Sequence, residues 1–319
     1  MPKDLVESLT LPVIGSPMFI VSGPELVIAQ CQAGIIGAFP ALNARPAEAL
    51  RDWLEQITRC LEQYNDDHPD TPAAPFAVNQ IVHPTNDRLE NDMALCAEYR
   101  VPLVITSLHA PNRVVEQVHA YGGRVFHDVT TLRHARKAVE AGVDGLILVC
   151  QGAGGHAGRL NPFAFVAEVR AFFDGPLVLA GAITRGEQIA AARALGADLV
   201  YMGTRFIATR EANAEAAYKQ MLLESAAGDI VYTNLFTGVH GNYLRQSIET
   251  AGLDPNALPE GDKSAMRYGS GGSSKAKAWR DIWGAGQGVG SINSLESVAD
   301  VVATLSSDYR LALDHLRRL

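Results

Sequence analysis

A chain of 319 residues has room for one large domain or two ordinary ones, and its 47% of apolar residues suffice for a sizeable core. A net charge of −8 argues against a nucleic-acid partner and against an anionic membrane surface, both of which select basic faces. The four cysteines (Cys31, Cys60, Cys96, Cys150) form no CxxC pair, no basic-then-apolar leader opens the chain, and no apolar run approaches about 18 residues, so a cytoplasmic protein with reduced thiols, no signal peptide and no membrane span is expected.

Apolar and β-branched runs recur at Val13–Met18, Ile35–Pro40, Phe76–Ile81, Leu103–Leu108, Arg124–Val129, Gly145–Cys150, Leu177–Ala182 and Leu199–Thr204, and each reads as a strand. Helical periodicity fills the gaps. Pro24–Ala33 opens with a proline at an early helical position. Pro46–Gln63 sets Ala49, Leu50, Trp53, Leu54, Ile57 and Leu61 on one stripe. Thr131–Ala141 and Arg185–Leu195 run into Gly142 and Gly196, which suit left-handed caps. The strands are nearly continuous apolar runs, the pattern of parallel strands covered on both faces. Strand and helix alternating eight times leave two candidates, a closed (β/α)8 barrel and an open doubly wound sheet. A strand spacing of about 21 to 42 residues and the count of eight favour closure, and no GxGxxG follows the first strand. The expected fold is therefore an α/β TIM barrel.

After the eighth strand the pattern breaks. Ala212–Ala226 reads as a helix, turn formers follow, and Gly269-Ser270-Gly271-Gly272-Ser273-Ser274 reads as a mobile loop. Two more helices, Ser294–Leu305 and Asp308–Leu319, are expected to pack back on the barrel. This divides the chain into a barrel (1–211 and 282–319) and a small, mainly helical lobe (212–281) beside its mouth.

In such a barrel the chemistry sits at the C-terminal ends of the strands. The sixth strand runs into Gln151-Gly152-Ala153-Gly154-Gly155-His156-Ala157-Gly158, where glycines free the backbone around an imidazole able to transfer protons near neutral pH. The first strand ends at Pro17-Met18-Phe19, the third at Asn79-Gln80 and the fifth at His127-Asp128. Gly181-Ala182 and Gly203-Thr204 end the seventh and eighth strands, where this architecture commonly binds phosphate; the plain alternative is that these glycines only end strands. His240 is a candidate for the substrate pocket or an ordinary solvated loop histidine. Cys150 reads as a buried strand thiol, the Arg133, His134, Arg136, Lys137 cluster as a solvated helix face, and no His, Cys, Asp or Glu spacing looks like a metal site.

Leu11–Met18, Phe76-Ala77-Val78-Asn79, the glycine-flanked His156 segment, Leu179–Ile183, Tyr201–Phe206 and Trp283–Gly288 together resemble the flavin-dependent nitronate monooxygenases, once called 2-nitropropane dioxygenases. The resemblance implies a non-covalent FMN. Pro17, Met18 and Phe19 would then meet the ring edge through backbone groups, and Asn79 would hydrogen-bond the ring. Gly181, Ala182, Gly203 and Thr204 would hold the phosphate. Gly154 and Gly155 would approach the cofactor beside the catalytic His156, and Gln287 would approach from the tail. Asp128 departs from the pattern: where some relatives carry a lysine that steadies a reduced flavin, an aspartate would not. The implied reaction oxidises alkyl nitronates or nitroalkanes with O2 to carbonyl compounds and nitrite. The rival readings are an NAD(P)H-dependent FMN reductase of quinones or enoyl thioesters, and a barrel that only binds a phosphorylated ligand.

Overall fold

A computed structural model describes residues 8–262 and 282–318. The expected mobile loop at Gly269–Ser274 lies outside the described residues.

Eight parallel strands form one sheet: β1 (Val13–Gly15), β2 (Gly37–Pro40), β3 (Phe76–Val82), β4 (Leu103–Leu108), β5 (Arg124–Val129), β6 (Gly145–Val149), β8 (Leu177–Ala180) and β9 (Leu199–Met202). Their order is β1-β9-β8-β6-β5-β4-β3-β2. The ends of this row meet through a parallel bridge between Ile14 and Ile36, with Gly15 N–H donating to Ile36 O at 2.8 Å and Ile36 N–H to Val13 O at 3.1 Å. The sheet is thus a closed barrel and the open alternative is excluded.

Strand alternation sorts the side chains. One parity points into the lumen, where Ile14, Ile36, Ala77, Ile105, Phe126 and Ile147 make a dry inner core. The other parity faces the surrounding helices, which include α1 (Pro24–Gln32), α2 (Ala49–Asp67), α3 (Leu89–Glu98), α4 (Asn112–Ala120), α5 (Leu132–Glu140), α6 (Pro162–Arg170) and α7 (Gly186–Leu195). Thr131 caps α5 by accepting from His134 N–H, and Gly142 and Gly196 take φ of +82° and +107°, the left-handed geometry expected of both.

Two features differ from the sequence expectation. The C-terminal region is one helix, α11 (Val298–Leu316), not two. Its Ser306-Ser307 pair does not break it, because Ser306 is buried and its hydroxyl accepts from Arg310 Nη2 at 2.8 Å, one turn on. Beyond β9, the short helices α8 (Thr204–Ile207), α9 (Ala216–Glu224) and α10 (Arg245–Thr250) are joined by a ribbon that the helical reading omits. Strands β10 (Ile230–Thr233) and β11 (Gly241–Leu244) pair antiparallel, and β11 in turn pairs with β7, the two-residue strand Gly155–His156. Among the described residues no helix is long and apolar enough to cross a membrane.

Candidate active site

A cavity of about 650 Å³ opens at the C-terminal end of the barrel. Its floor follows from the alternation that fills the lumen: two residues beyond each lumen side chain, the same face of the strand carries Asn79, Ser107, Asp128, Val149, Ala180 and Tyr201, and all six line the cavity. The same parity explains why neighbouring polar residues stay out. His127 and Cys150 point to the helical shell. His127 is bonded to Thr106 Oγ1 at 2.8 Å, and burial lowers it to about 4. Burial likewise pushes the Cys150 thiol up to about 12, leaving an inert core residue.

His156 stands in the cavity wall, placed by the ribbon: Gly241 pairs with His156 and Asn242 with Gly155. Ala157 N–H donates to His240 O at 3.1 Å, and Asn242 Nδ2 donates to Ala153 O at 2.6 Å, so both sides of the loop are held. The imidazole Nε2 is 3.0 Å from Thr237 Oγ1. Thr237 has one hydroxyl proton, and it goes to Val239 O at 2.9 Å. The oxygen therefore accepts from the ring, Nε2 carries the hydrogen, and Nδ1 is the basic nitrogen. Desolvation lowers His156 to about 4, so the ring is neutral at physiological pH. Sequence reasoning passed over Thr237 in favour of His240, because the pairing of β11 with β7 that brings Thr237 to the imidazole is signalled by neither periodicity nor motif. His240 does not line the cavity; it stacks on Tyr232 at 4.9 Å, while Thr237 and Val239 face inward.

The loop after β1 brings Pro17, Met18 and Phe19 to the cavity. Met18 N–H already donates to Ser22 Oγ at 2.9 Å, and its carbonyl accepts from Ser22 N–H and from Asn43 Nδ2. Asn79 Nδ2 donates to Ile105 O and to Ser107 Oγ, so its side chain offers a ligand only the carbonyl oxygen.

At the ends of β8 and β9, Gly181 (φ +140°) and Ala182 (φ +54°) turn the chain through consecutive positive-φ residues. Their N–H groups and that of Gly203 have no acceptor among the described residues. Successive N–H groups turned this way form a concavity that suits an anion. Thr204 Oγ1 also lines the cavity and accepts from Gly286 N–H at 2.9 Å. Through that bond and Gln287 N–H to Gly152 O at 2.9 Å, the tail segment is laced onto the loop that carries His156. Gln287 itself is exposed and outside the cavity lining; Gly286 and Gly288 reach it instead. Trp283 and Tyr218, stacked at 5.0 Å, add an aromatic wall.

Comparison with known proteins shows the family and the fold. Over 96% of this chain and 94% of its own, the nitronate monooxygenase of Paraburkholderia phytofirmans is 27% identical. The nitronate monooxygenase of Pseudomonas aeruginosa is 28% identical over 71% of this chain and 74% of its own. Among solved structures, the nitroalkane oxidase of Streptomyces ansochromogenes superposes with a TM-score of 0.77 at 25% identity, covering 98% of this chain and 99% of that one. FabK of Thermotoga maritima superposes with a TM-score of 0.77 at 24% identity, covering 98% and 97%, a likeness of fold. The model of the family described as nitronate monooxygenase matches residues 3–308. The chain belongs to the nitronate monooxygenase family and is an oxidoreductase.

Proposed function

We propose that the protein is an FMN-dependent monooxygenase that oxidises alkyl nitronates and nitroalkanes with O2 to carbonyl compounds and nitrite. The observation that carries this reading is the neutral, tautomer-fixed His156 in the wall of a cavity polar at two separated places. At one place lie the N–H groups of Gly181, Ala182 and Gly203, lacking acceptors among the described residues. At the other lie two buried atoms without partners among the described residues, Asp128 Oδ1 and the Tyr201 hydroxyl. This donor set fits a ligand with a phosphate at one end and a polar aromatic ring at the other.

When bound, the flavin supplies the redox chemistry, as a one- or two-electron acceptor. The chain's own residues bind and orient. Gly181, Ala182, Gly203 and Thr204 hold the phosphate, and Asn79 Oδ1 and Asp128 face the ring. Pro17, Met18 and Phe19 with Tyr218 and Trp283 give an apolar surround for an alkyl group. His156 Nδ1 takes the proton from a neutral nitroalkane or orients a nitronate already formed.

Flavin absorbance under nitrogen tests the reading. A nitronate is expected to bleach the flavin within the turnover time, and NADH or NADPH much more slowly. Fast bleaching by a nicotinamide with no response to nitronate would establish the reductase reading instead. A colourless protein that takes up no FMN would leave only a binder of phosphorylated ligands.

Thr237 is a positioning residue in this scheme, because it sets which ring nitrogen is basic. Thr237→Val is expected to lower kcat about tenfold, the size of one lost hydrogen bond, with little change in KM. Thr237→Ser is expected to restore it. Nitrogen NMR of the ring should show a single tautomer in the parent and Thr237→Ser proteins and a mixture in Thr237→Val.

A further inference from the structure

Asp128 ends a one-way chain of hydrogen bonds across the cavity floor. Asn79 Nδ2 donates to Ser107 Oγ at 3.0 Å, and Ser107 Oγ donates to Asp128 Oδ2 at 2.6 Å. The serine proton is thereby committed, and Oδ2 is held as an acceptor. Oδ1 is buried and has no hydrogen-bond partner among the described residues, and the same is true of the Tyr201 hydroxyl, which also lines the cavity. An ionised carboxylate here would leave a buried charged oxygen bare, one of the costlier arrangements a protein interior can hold.

Among the described residues no cation offsets that cost. The charged or titratable side chains among them that line the cavity with Asp128 are Arg45, His134, His156, Tyr201, Glu215 and Tyr218. None of the cationic ones bears on the carboxyl, whose only favourable influence is the bond from Ser107. Desolvation outweighs that bond and pushes Asp128 up to about 7. The carboxyl in turn adds to burial in raising the Tyr201 phenol.

We infer that Asp128 carries a proton on Oδ1 and serves as a hydrogen-bond donor to the heteroatoms of a flavin ring laid over the cavity floor. The inference rests on the FMN reading for its ligand, while the protonated carboxyl itself does not. A neutral acid donates to a ring that gains negative charge on reduction and brings no charge of its own. Above about pH 7 the same side chain becomes a fixed negative charge with nothing to donate, so the direction of the effect is set: cofactor retention is full at low pH and weakens as pH rises through about 7.

Two measurements test this on the whole chain. The first is infrared spectroscopy of the cofactor-free protein from about pH 5 to about pH 9. A protonated-carboxyl band that titrates away near pH 7 is expected in the parent protein and is expected to be missing from Asp128→Asn. Ser107→Ala, which removes the donor that favours the anion, is expected to move that midpoint upward; it also serves if Asp128→Asn does not fold. The second is FMN affinity, read by flavin fluorescence over the same range. The parent should lose about tenfold in affinity per pH unit above about 7, while Asp128→Asn, a neutral donor at every pH, should bind as tightly as the parent at low pH with no pH dependence. A band absent at low pH, or unchanged by Asp128→Asn and by Ser107→Ala, overturns the inference. So does parent FMN affinity that is flat with pH. Failure of both proteins to bind FMN while the band still titrates overturns the cofactor reading instead.

Discussion

His156→Asn is expected to collapse oxidation of neutral nitroalkanes by about 10²- to 10⁴-fold in kcat/KM while preformed nitronates continue to turn over. The asymmetry follows from the state of the ring. Burial holds His156 near 4, and Thr237 holds the hydrogen on Nε2, so the imidazole meets substrate neutral and with Nδ1 able to accept. A neutral nitroalkane must lose a proton before its electrons are available, and asparagine takes none. A nitronate has already lost that proton and needs only orientation. The pH profile carries a second signature. In the parent protein kcat/KM for nitroalkanes should stay level through neutral pH and fall only in acid, as pH drops through about 4. Steady-state rates on matched nitroalkane and nitronate pairs settle the point: an equal loss on both substrates removes the general-base role and leaves His156 as an orienting group.

Gly154→Val is expected to weaken FMN binding by about 100-fold while the barrel still folds. A Cβ at residue 154 would stand 2.9 Å from Gly286 N, 3.0 Å from Ala285 C and 3.2 Å from Thr204 Oγ1. Two of those atoms are backbone and cannot rotate away. The side chain would wedge the tail off the His156 loop and break the bond from Gly286 N–H to Thr204 Oγ1, which holds that hydroxyl beside the proposed phosphate site. Overpacking of this kind costs about 1–3 kcal/mol, and about 2.7 kcal/mol corresponds to the stated loss. Far-ultraviolet circular dichroism of the cofactor-free protein should stay close to the parent, because the barrel strands pair without this contact, while its melting temperature should fall by the few degrees that such overpacking costs. An unchanged FMN affinity would show that the tail does not shape the site.

Much of this molecule is legible along the chain. The eight strands sit where apolar runs place them, within about three residues at their ends, because a strand buried on both faces must be apolar throughout. His156 stands out because glycines free the backbone around an imidazole just after a strand, although the segment by itself reads equally well as a flexible surface loop with an ordinary histidine. Thr237 and Tyr201 were not legible as site residues. Thr237 reaches the imidazole only because β11 pairs with β7, and a two-residue strand has no periodicity to read. Tyr201 lies inside the Tyr201–Phe206 segment noted for its glycine and threonine, and only the inward parity of β9 turns the phenol onto the floor. The tail behaved in the same way: the motif pointed to Gln287, whereas packing against Gly152 and Thr204 turned Gly286 and Gly288 inward.

Local composition settled the succession of strands and helices, and with it the barrel, because burial and backbone hydrogen bonding act residue by residue along each element. The protonation of Asp128 and the tautomer of His156 were decided in three dimensions. Both depend on which side chains from distant strands meet with water excluded, and a protonated carboxyl is recognised only when the described residues around it supply no cation and leave one oxygen bare.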